Sequence, residues 1–78
     1  MDQEKLNKLV GKNIKKYRLL TIVNGKSMTQ EQLAELVNVS VSLISSLESN
    51  KTKKGISIPN LYRISKVLKT PINKFFEE

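Results

Sequence analysis

Two short helices separated by a very short connection constrain the fold of this chain more than any other feature. They are predicted within Thr29–Ser49, TQEQLAELVNVSVSLISSLES, where apolar residues recur at helical spacing over 30–37 and 41–49. A T-x-x-Q capping box begins the first helix, and Asn38 is a residue that accepts the left-handed conformation at a helix end. Helices joined by two or three residues cannot lie side by side. They must cross steeply, which leaves the second helix exposed along one side.

Three further helices are predicted around this pair, over about 2–23, 58–68 and 72–77. Their apolar residues recur at steps of three and four, and no strand is predicted. The first of these helices is expected to stop at Asn24-Gly25, because both residues tolerate positive φ. The chain, 1–78, is therefore predicted to be one all-α domain of five helices, a bundle rich in local contacts.

The aromatic residues of the last third are interpreted as core. These residues are Tyr62, Phe75 and Phe76. The alternative to a core position for Tyr62 and Phe76 is a place in a dimer interface. In helix four one face is predicted to be shared by five residues, Ile58, Leu61, Ile64, Ser65 and Leu68. In helix two Leu36 points away from the apolar face and has no predicted partner.

The residue types exclude most catalytic and metal chemistry. The chain has no cysteine and no histidine, so it lacks thiolate ligands and the commonest general base. Its three glycines are too far apart to form a phosphate-cradling loop. We therefore predict no enzymatic activity, no cofactor and no metal site. No apolar run approaches the roughly 18 residues that span a bilayer, and the N-terminus lacks the centre of a signal peptide. We expect a cytoplasmic protein with no membrane partner.

The formal net charge of +7 over 78 residues favours an anionic partner. Lysines crowd the first predicted helix and the loop after Asn50, whereas no Lys or Arg occurs between Ser27 and Asn50. The first N–H groups of a helix are unpaired and bind anions, and in a steeply crossed pair both N-termini can face the same side. This arrangement favours nucleic acid over a membrane surface, since the apolar stripe of helix one is narrow and carries no Trp or Phe.

Several motifs occur in an order that is typical of one family. They are IKKYR at Ile14–Arg18, TQEQLA at Thr29–Ala34, ISSLE at Ile44–Glu48 and the closing LKTPINKFF. With these motifs the chain resembles the Cro/repressor-type, or XRE-like, helix-turn-helix family from about Leu9 to Glu77. The segment LESNKTKKGISIPNL is similar to the corresponding loop of lambdoid phage repressors. The resemblance implies a lambda-repressor-like domain in which helices two and three form the helix-turn-helix.

The resemblance also implies roles for three sets of residues. The positions that match base-reading residues of the family are Val41, Ser42 and Ser46. Those that match phosphate contacts, or lie near them, are Gln30, Ser45, Ser49, Lys51, Lys53 and Lys54. Gln30 is also expected to brace the recognition helix, helix three. Arg18 and Glu48 match an ion pair that ties helix one to helix three.

The chain departs from the family pattern at four places. Asn38 stands in the turn where the family usually carries glycine. The connection LLTIVNGKSM after helix one is several residues longer than usual, and it either extends that helix or adds a contact. Ile56 stands where a relative places a minor-groove arginine. The base-reading positions carry no Arg, Lys, Asn or Gln, so bidentate readout of guanine or adenine is not available from them. Val41 can meet a thymine methyl, and DNA shape is expected to contribute much of the specificity.

The function implied by the resemblance is sequence-specific regulation of transcription on double-stranded DNA. A homodimer on a two-fold operator is expected, such as a restriction–modification controller or a phage Cro-like protein. RNA polymerase is a further candidate partner, through Glu31 and Glu35. The alternative is a protein-interaction module, or an antitoxin, that reuses the same fold. In an interaction module the exposed Leu36, Leu43 and Tyr62 would form the contact surface.

Overall fold

Four α-helices, a short β-hairpin and a C-terminal 3₁₀ helix make up the part of the protein that the structure describes. The computed structural model describes residues 2–49 and 55–78. The elements are α1 (Gln3–Leu20), β1 (Ile22–Val23), β2 (Lys26–Ser27), α2 (Gln30–Val37), α3 (Val41–Ser49), α4 (Ile58–Val67) and the 3₁₀ helix (Ile72–Phe76). The predicted helix-turn-helix architecture is confirmed. None of the helices in these residues has both the length and the apolarity that crossing a membrane requires.

The structure differs from the prediction in two respects. The first helix ends earlier than expected, and it is followed by two short strands where none was predicted. Helix one was expected to continue to about residue 23, but α1 ends at Leu20 and Thr21 is already extended. The chain then forms an antiparallel hairpin, in which Ile22 pairs with Ser27 and Val23 with Lys26.

Local chemistry explains this hairpin. Thr21 and the two residues after it are β-branched, which favours extended backbone over helix. The turn residues Asn24 and Gly25 have φ values of 52° and 82°, in the left-handed region. An Asn-Gly pair in this conformation is the preferred two-residue connection between antiparallel strands. The pair therefore reverses the chain between β1 and β2, several residues after the helix has ended.

Polar side chains satisfy the free N–H groups at the helix starts. The Asp2 carboxylate accepts from the Lys5 N–H at 2.8 Å, and the Ser57 hydroxyl from the Asn60 N–H at 3.3 Å. At α2 the Gln32 N–H donates to Thr29 Oγ1 at 3.0 Å, and the Thr29 N–H donates to Gln32 Oε1 at 2.8 Å. Both halves of the capping box are thus present, as its sequence pattern predicts.

The end of α4 is also set by local hydrogen bonds. α4 ends at Val67, one residue before the predicted end, and Lys69 has φ of 53°. The Thr70 N–H donates to the Ser65 carbonyl at 2.9 Å, and the Lys69 N–H donates to the Lys66 carbonyl at 3.2 Å. These two bonds form a Schellman motif, which stops the helix and turns the chain towards the 3₁₀ helix.

The hydrophobic core lies between α1, α2, α3, α4 and the 3₁₀ helix. Its buried members are Val10, Ile14, Met28, Leu33, Ala34, Val37, Ile44, Leu47, Leu61, Ile64, Leu68 and Phe75. Phe75 is fully buried, and its ring meets that of Tyr17 edge to face at 5.5 Å between centroids. The predicted core position of Phe75 is therefore confirmed.

Three apolar residues that were predicted on the buried side are exposed instead. Tyr62 is 52% exposed and Phe76 39% exposed, so the core interpretation of both residues is wrong. Tyr62 lies about 100° around the helix from the buried Leu61, because an α-helix has 3.6 residues per turn. Ile58 is 64% exposed. It is the first residue of α4, and its Cβ tilts towards the helix N-terminus, beyond the end of the packed face.

Two close contacts position α1. A Cβ added to Gly11 would collide with the Leu47 carbonyl oxygen, so the backbones of α1 and α3 approach closely there. The buried Asn13 amide donates to the Phe75 carbonyl at 2.8 Å and to the Glu77 carbonyl at 2.9 Å. These bonds tie the C-terminal segment to α1. In consequence α1 is the support against which α3 is held.

Candidate nucleic-acid interface

Helix α3 presents small side chains away from the core. Its buried residues are Ile44, Leu47 and Glu48. Of the predicted base-reading residues, Val41 is 40% exposed, Ser42 is exposed and Ser46 is half-buried. The predicted phosphate contacts Ser45 and Ser49 are exposed as well. Four short polar side chains and one valine therefore line the accessible side of α3.

The turn between α2 and α3 is built from local hydrogen bonds. Asn38 has φ of 64°, and the next N–H, that of Val39, donates to the Ala34 carbonyl at 3.0 Å. Ser40 then caps the start of α3, since its Oγ accepts from the Leu43 N–H at 3.1 Å. Asparagine reaches the left-handed region at lower cost than most residues, because its short side chain bonds locally. A tight turn is thus formed without the glycine that the family usually places here.

A buried ion pair connects α1 to α3. Arg18 Nε donates to Glu48 Oε2 and Arg18 Nη2 donates to Glu48 Oε1, both at 2.8 Å. The side chain of Arg18 is 8% exposed and that of Glu48 2%. Arg18 Nη1 also donates to the Met28 carbonyl at 2.6 Å, immediately before α2. One guanidinium therefore connects α1, the residue that leads into α2, and α3 in a bidentate geometry that lysine cannot reproduce.

Gln30 adds the N-terminus of α2 to this cluster. Its Nε2 donates to Glu48 Oε1 at 3.0 Å, and the residue is half-buried. The Glu48 carboxylate thus accepts three side-chain hydrogen bonds from two helices. A side-chain amide carries two N–H groups. The second N–H of Gln30 makes no bond within residues 2–49 and 55–78 and is available to an oxygen acceptor outside the chain.

Three of the predicted phosphate contacts lie outside the described residues, namely Lys51, Lys53 and Lys54. Beyond them Ile56 is half-buried and packs against the core. Its side chain lines a small cavity together with Val10 of α1 and Leu61 of α4.

Periodicity did not indicate two features close to α2. One is the hydrogen bond from Gln30 to the carboxylate of Glu48, 18 residues further along the chain, which agrees with the bracing of the recognition helix that the family resemblance implies for Gln30. The other is the hairpin with the exposed Lys26. Its signal was present, because β-branched residues precede an Asn-Gly pair, but the same pair is also a common helix stop.

Comparison with protein-family models gives a match over most of the chain. A family model described as helix-turn-helix matches residues 14–75. The matched range begins at the buried Ile14, ends at the buried Phe75, and includes α2, α3 and both members of the ion pair. A search of curated proteins gives no significant match.

Proposed function

The chain belongs to the Cro/repressor-type, or XRE-like, helix-turn-helix family of DNA-binding transcriptional regulators, and from this premise we propose that it binds specific duplex sequences as a homodimer. In this proposal α3 enters the major groove and the N-terminus of α2 meets the DNA backbone. Two copies related by a two-fold axis place their α3 helices in half-sites about 34 Å apart. A stand-alone regulator of the restriction–modification controller or phage Cro type fits this description.

The observation that carries the proposal is the contrast between the two sides of α3. One side is fixed by the buried pair of Arg18 and Glu48, while the other exposes Val41 and small serines. A rigid helix with short side chains lets its backbone come close to the floor of a groove. Burying an ion pair costs desolvation energy. We infer that the pair of Arg18 and Glu48 serves to define the position of α3 relative to α1.

Base readout in this proposal comes from Val41, Ser42 and Ser46. Val41 contacts a thymine methyl group, and each serine hydroxyl makes a single hydrogen bond to a base edge. No side chain of this set can form the bidentate pairs that discriminate guanine or adenine. Sequence-dependent shape and deformability of the DNA therefore supply a large share of the specificity.

Phosphate contacts surround this reading face. Gln30 contacts a phosphate with the amide N–H that is not bonded to Glu48. Ser45 and Ser49 are exposed on α3 and contact the backbone on either side of the groove. The lysines at 51, 53 and 54 follow α3 in sequence and supply the positive charge that α2 and α3 lack. Such contacts position the protein, and base contacts specify the site.

The proposed dimer uses the exposed aromatic residues of the C-terminal part. Tyr62 lines an open groove of about 400 Å³ between α4 and the start of the 3₁₀ helix. Phe76, with Ile58, borders a smaller apolar cavity of about 110 Å³ between α1 and α4. Because a single domain of this size covers little DNA, a second copy would double the contact area. RNA polymerase is a further proposed partner, through the exposed Glu31 and Glu35 on α2.

Selection of bound sites from random duplex DNA tests the proposal. A two-fold symmetric site with half-sites about one helical turn apart is expected. In the same assay Val41→Ala and Ser46→Ala should change the preferred sequence, whereas Lys53→Ala and Lys54→Ala should weaken binding to all sequences alike. If no sequence is enriched, the proposed specificity is wrong. If the α3 variants only lower affinity uniformly, the assignment of the reading face is wrong.

A protein-interaction module is the second candidate, favoured by the apolar side chains on the surface. Leu36 is 61% exposed on α2, beside Val23 of the hairpin. Leu43, in contrast, is half-buried and packs against the core, which leaves Leu36 and Tyr62 as contact residues. This candidate predicts weak DNA binding without sequence preference, and Leu36→Ser would then abolish partner binding without affecting DNA binding.

A further inference from the structure

The hairpin carries a lysine to which the proposed DNA contacts assign no role. Lys26 is the only Lys or Arg between Arg18 and Lys51 in the sequence. It is exposed on β2, and in the part of the chain that the structure describes it takes part in no salt bridge. Lys8 and Lys74, in contrast, each lie beside a glutamate. The ammonium group of Lys26 is therefore available to an anion outside the chain.

The base of the hairpin is tied to the C-terminal end of α1. Ser27 Oγ donates to the Leu19 carbonyl at 2.7 Å, which fixes β2 to the end of α1. The Met28 N–H donates to the Thr21 carbonyl at 2.8 Å, and the Met28 carbonyl accepts from Arg18 at 2.6 Å. The hairpin is thus connected to the ion pair that holds α3. Less conformational entropy is lost when an anion binds to an element that is already held in this way.

The hairpin also leads directly into the proposed phosphate contact of α2. Lys26 precedes Gln30 by four residues, and a chain of that length spans at most about 14 Å. Gln30 is bonded to Glu48, next to the exposed Ser49 at the end of α3. Successive phosphates of one DNA strand are separated by about 3.4 Å along the helix axis. A phosphate at Gln30 therefore has neighbours within the reach of Lys26.

We propose that the hairpin is a second phosphate-binding element, in which the Lys26 ammonium pairs with a DNA phosphate near the one that Gln30 contacts. This inference rests on the proposed DNA binding and adds a contact to it. Gln30 is uncharged, and α2 itself contains only acidic charged residues, Glu31 and Glu35. Lys26 supplies the positive charge at this edge of the interface, and it does so without adding sequence preference.

Salt dependence measures this contact directly. The assay is titration of a fluorescent duplex, enriched from the random pool, at about 50 and 200 mM salt. Lys26→Gln removes one charge from each subunit, and hence two from the proposed homodimer, so the plot of log affinity against log salt should become shallower by about 1.8. The advantage of the natural protein over Lys26→Gln should then shrink about 12-fold between the two salt concentrations. Lys26→Arg should retain the natural slope.

Lys74→Gln is the matched control. It lowers the formal net charge from +7 to +6, as Lys26→Gln does. Lys74 lies in the 3₁₀ helix, which packs against α1 and α4, and within residues 2–49 and 55–78 its only salt bridge is an exposed one with Glu77. This variant should keep the natural slope. An equal loss of slope in both glutamine variants would indicate a general charge effect and would overturn the inference.

Two further outcomes separate the inference from the function on which it rests. If the natural protein binds the duplex with a steep salt dependence and Lys26→Gln has the same slope, the hairpin contact is refuted and the proposed function stands. If the natural protein enriches no duplex, or binds DNA without salt dependence, the proposed function fails and the hairpin contact fails with it.

Discussion

Replacement of Glu48 by alanine should lower the free energy of unfolding by about 3–5 kcal/mol, because it leaves a buried guanidinium without its counter-charge. Glu48 accepts two hydrogen bonds from Arg18 and one from Gln30. All three donors lose their acceptor together. Arg18 keeps one bond, to the Met28 carbonyl, and its side chain is only 8% exposed, so water cannot replace the carboxylate without opening the core.

This loss is large relative to the whole stability of the domain. At 0.05–0.15 kcal/mol per residue, a 78-residue chain has a free energy of unfolding of about 4–12 kcal/mol. The alanine variant is thus expected to lose between roughly a quarter and all of it. Urea denaturation followed by far-ultraviolet circular dichroism, with linear extrapolation, measures the difference.

A double variant separates the ion pair from simple packing. Arg18→Met combined with Glu48→Leu removes both charges and fills the space with apolar atoms, so its stability should return close to that of the natural protein. The single Arg18→Met change leaves Glu48 buried with only Gln30 as donor and should be as harmful as Glu48→Ala. A loss below about 1 kcal/mol for Glu48→Ala, the range of exposed pairs, would refute the reasoning.

Three other substitutions test local features by the same urea assay. Gly11→Ala should cost about 1–3 kcal/mol, because its Cβ would meet the Leu47 carbonyl oxygen and push α1 away from α3. Thr29→Ala should cost about 1 kcal/mol through loss of the cap of α2. Gly25→Ala should cost about 1–2 kcal/mol, since the φ of 82° is unfavourable for a residue with a Cβ even where space is open; Gly25→Asn should cost less. An unchanged free energy of unfolding for Gly11→Ala or Thr29→Ala would contradict the corresponding contact, and for Gly25→Ala it would contradict the left-handed backbone conformation.

The helices were predictable because their signals are local. Thr29 with Gln32, and Ser57 with Asn60, occur at the spacing that satisfies free N–H groups at a helix start, and the structure has these bonds. The pairing of Arg18 with Glu48 was expected from family resemblance alone, since 30 residues separate them. Periodicity cannot indicate contacts at that separation.

The hairpin and the exposed aromatic residue were mispredicted for different reasons. At Asn24-Gly25 one dipeptide serves two structures, a helix stop and a hairpin turn, and the extended Thr21 decides between them. Tyr62 was interpreted as core because it is large and aromatic, although α4 already has a buried stripe that includes Leu61 and Ile64. Residue type was given more weight than position on the helix.

The short side chains of α3 and the rigidity of its support are parts of one arrangement. Without bidentate contacts, each worth about 1–3 kcal/mol of discrimination, the proposed reading residues Val41, Ser42 and Ser46 would contribute little specificity individually. Deformation of a DNA site costs about 1–6 kcal/mol depending on its sequence, which can supply the difference. This deformation energy discriminates between DNA sequences only if the protein keeps its shape. If α3 could move, it would adapt to the groove of any sequence, and the DNA would not need to deform. In the proposed complex the bonds that Glu48 accepts from Arg18 and Gln30 oppose that adjustment, so a stiffly held helix-turn-helix would compensate for a sparse set of base contacts.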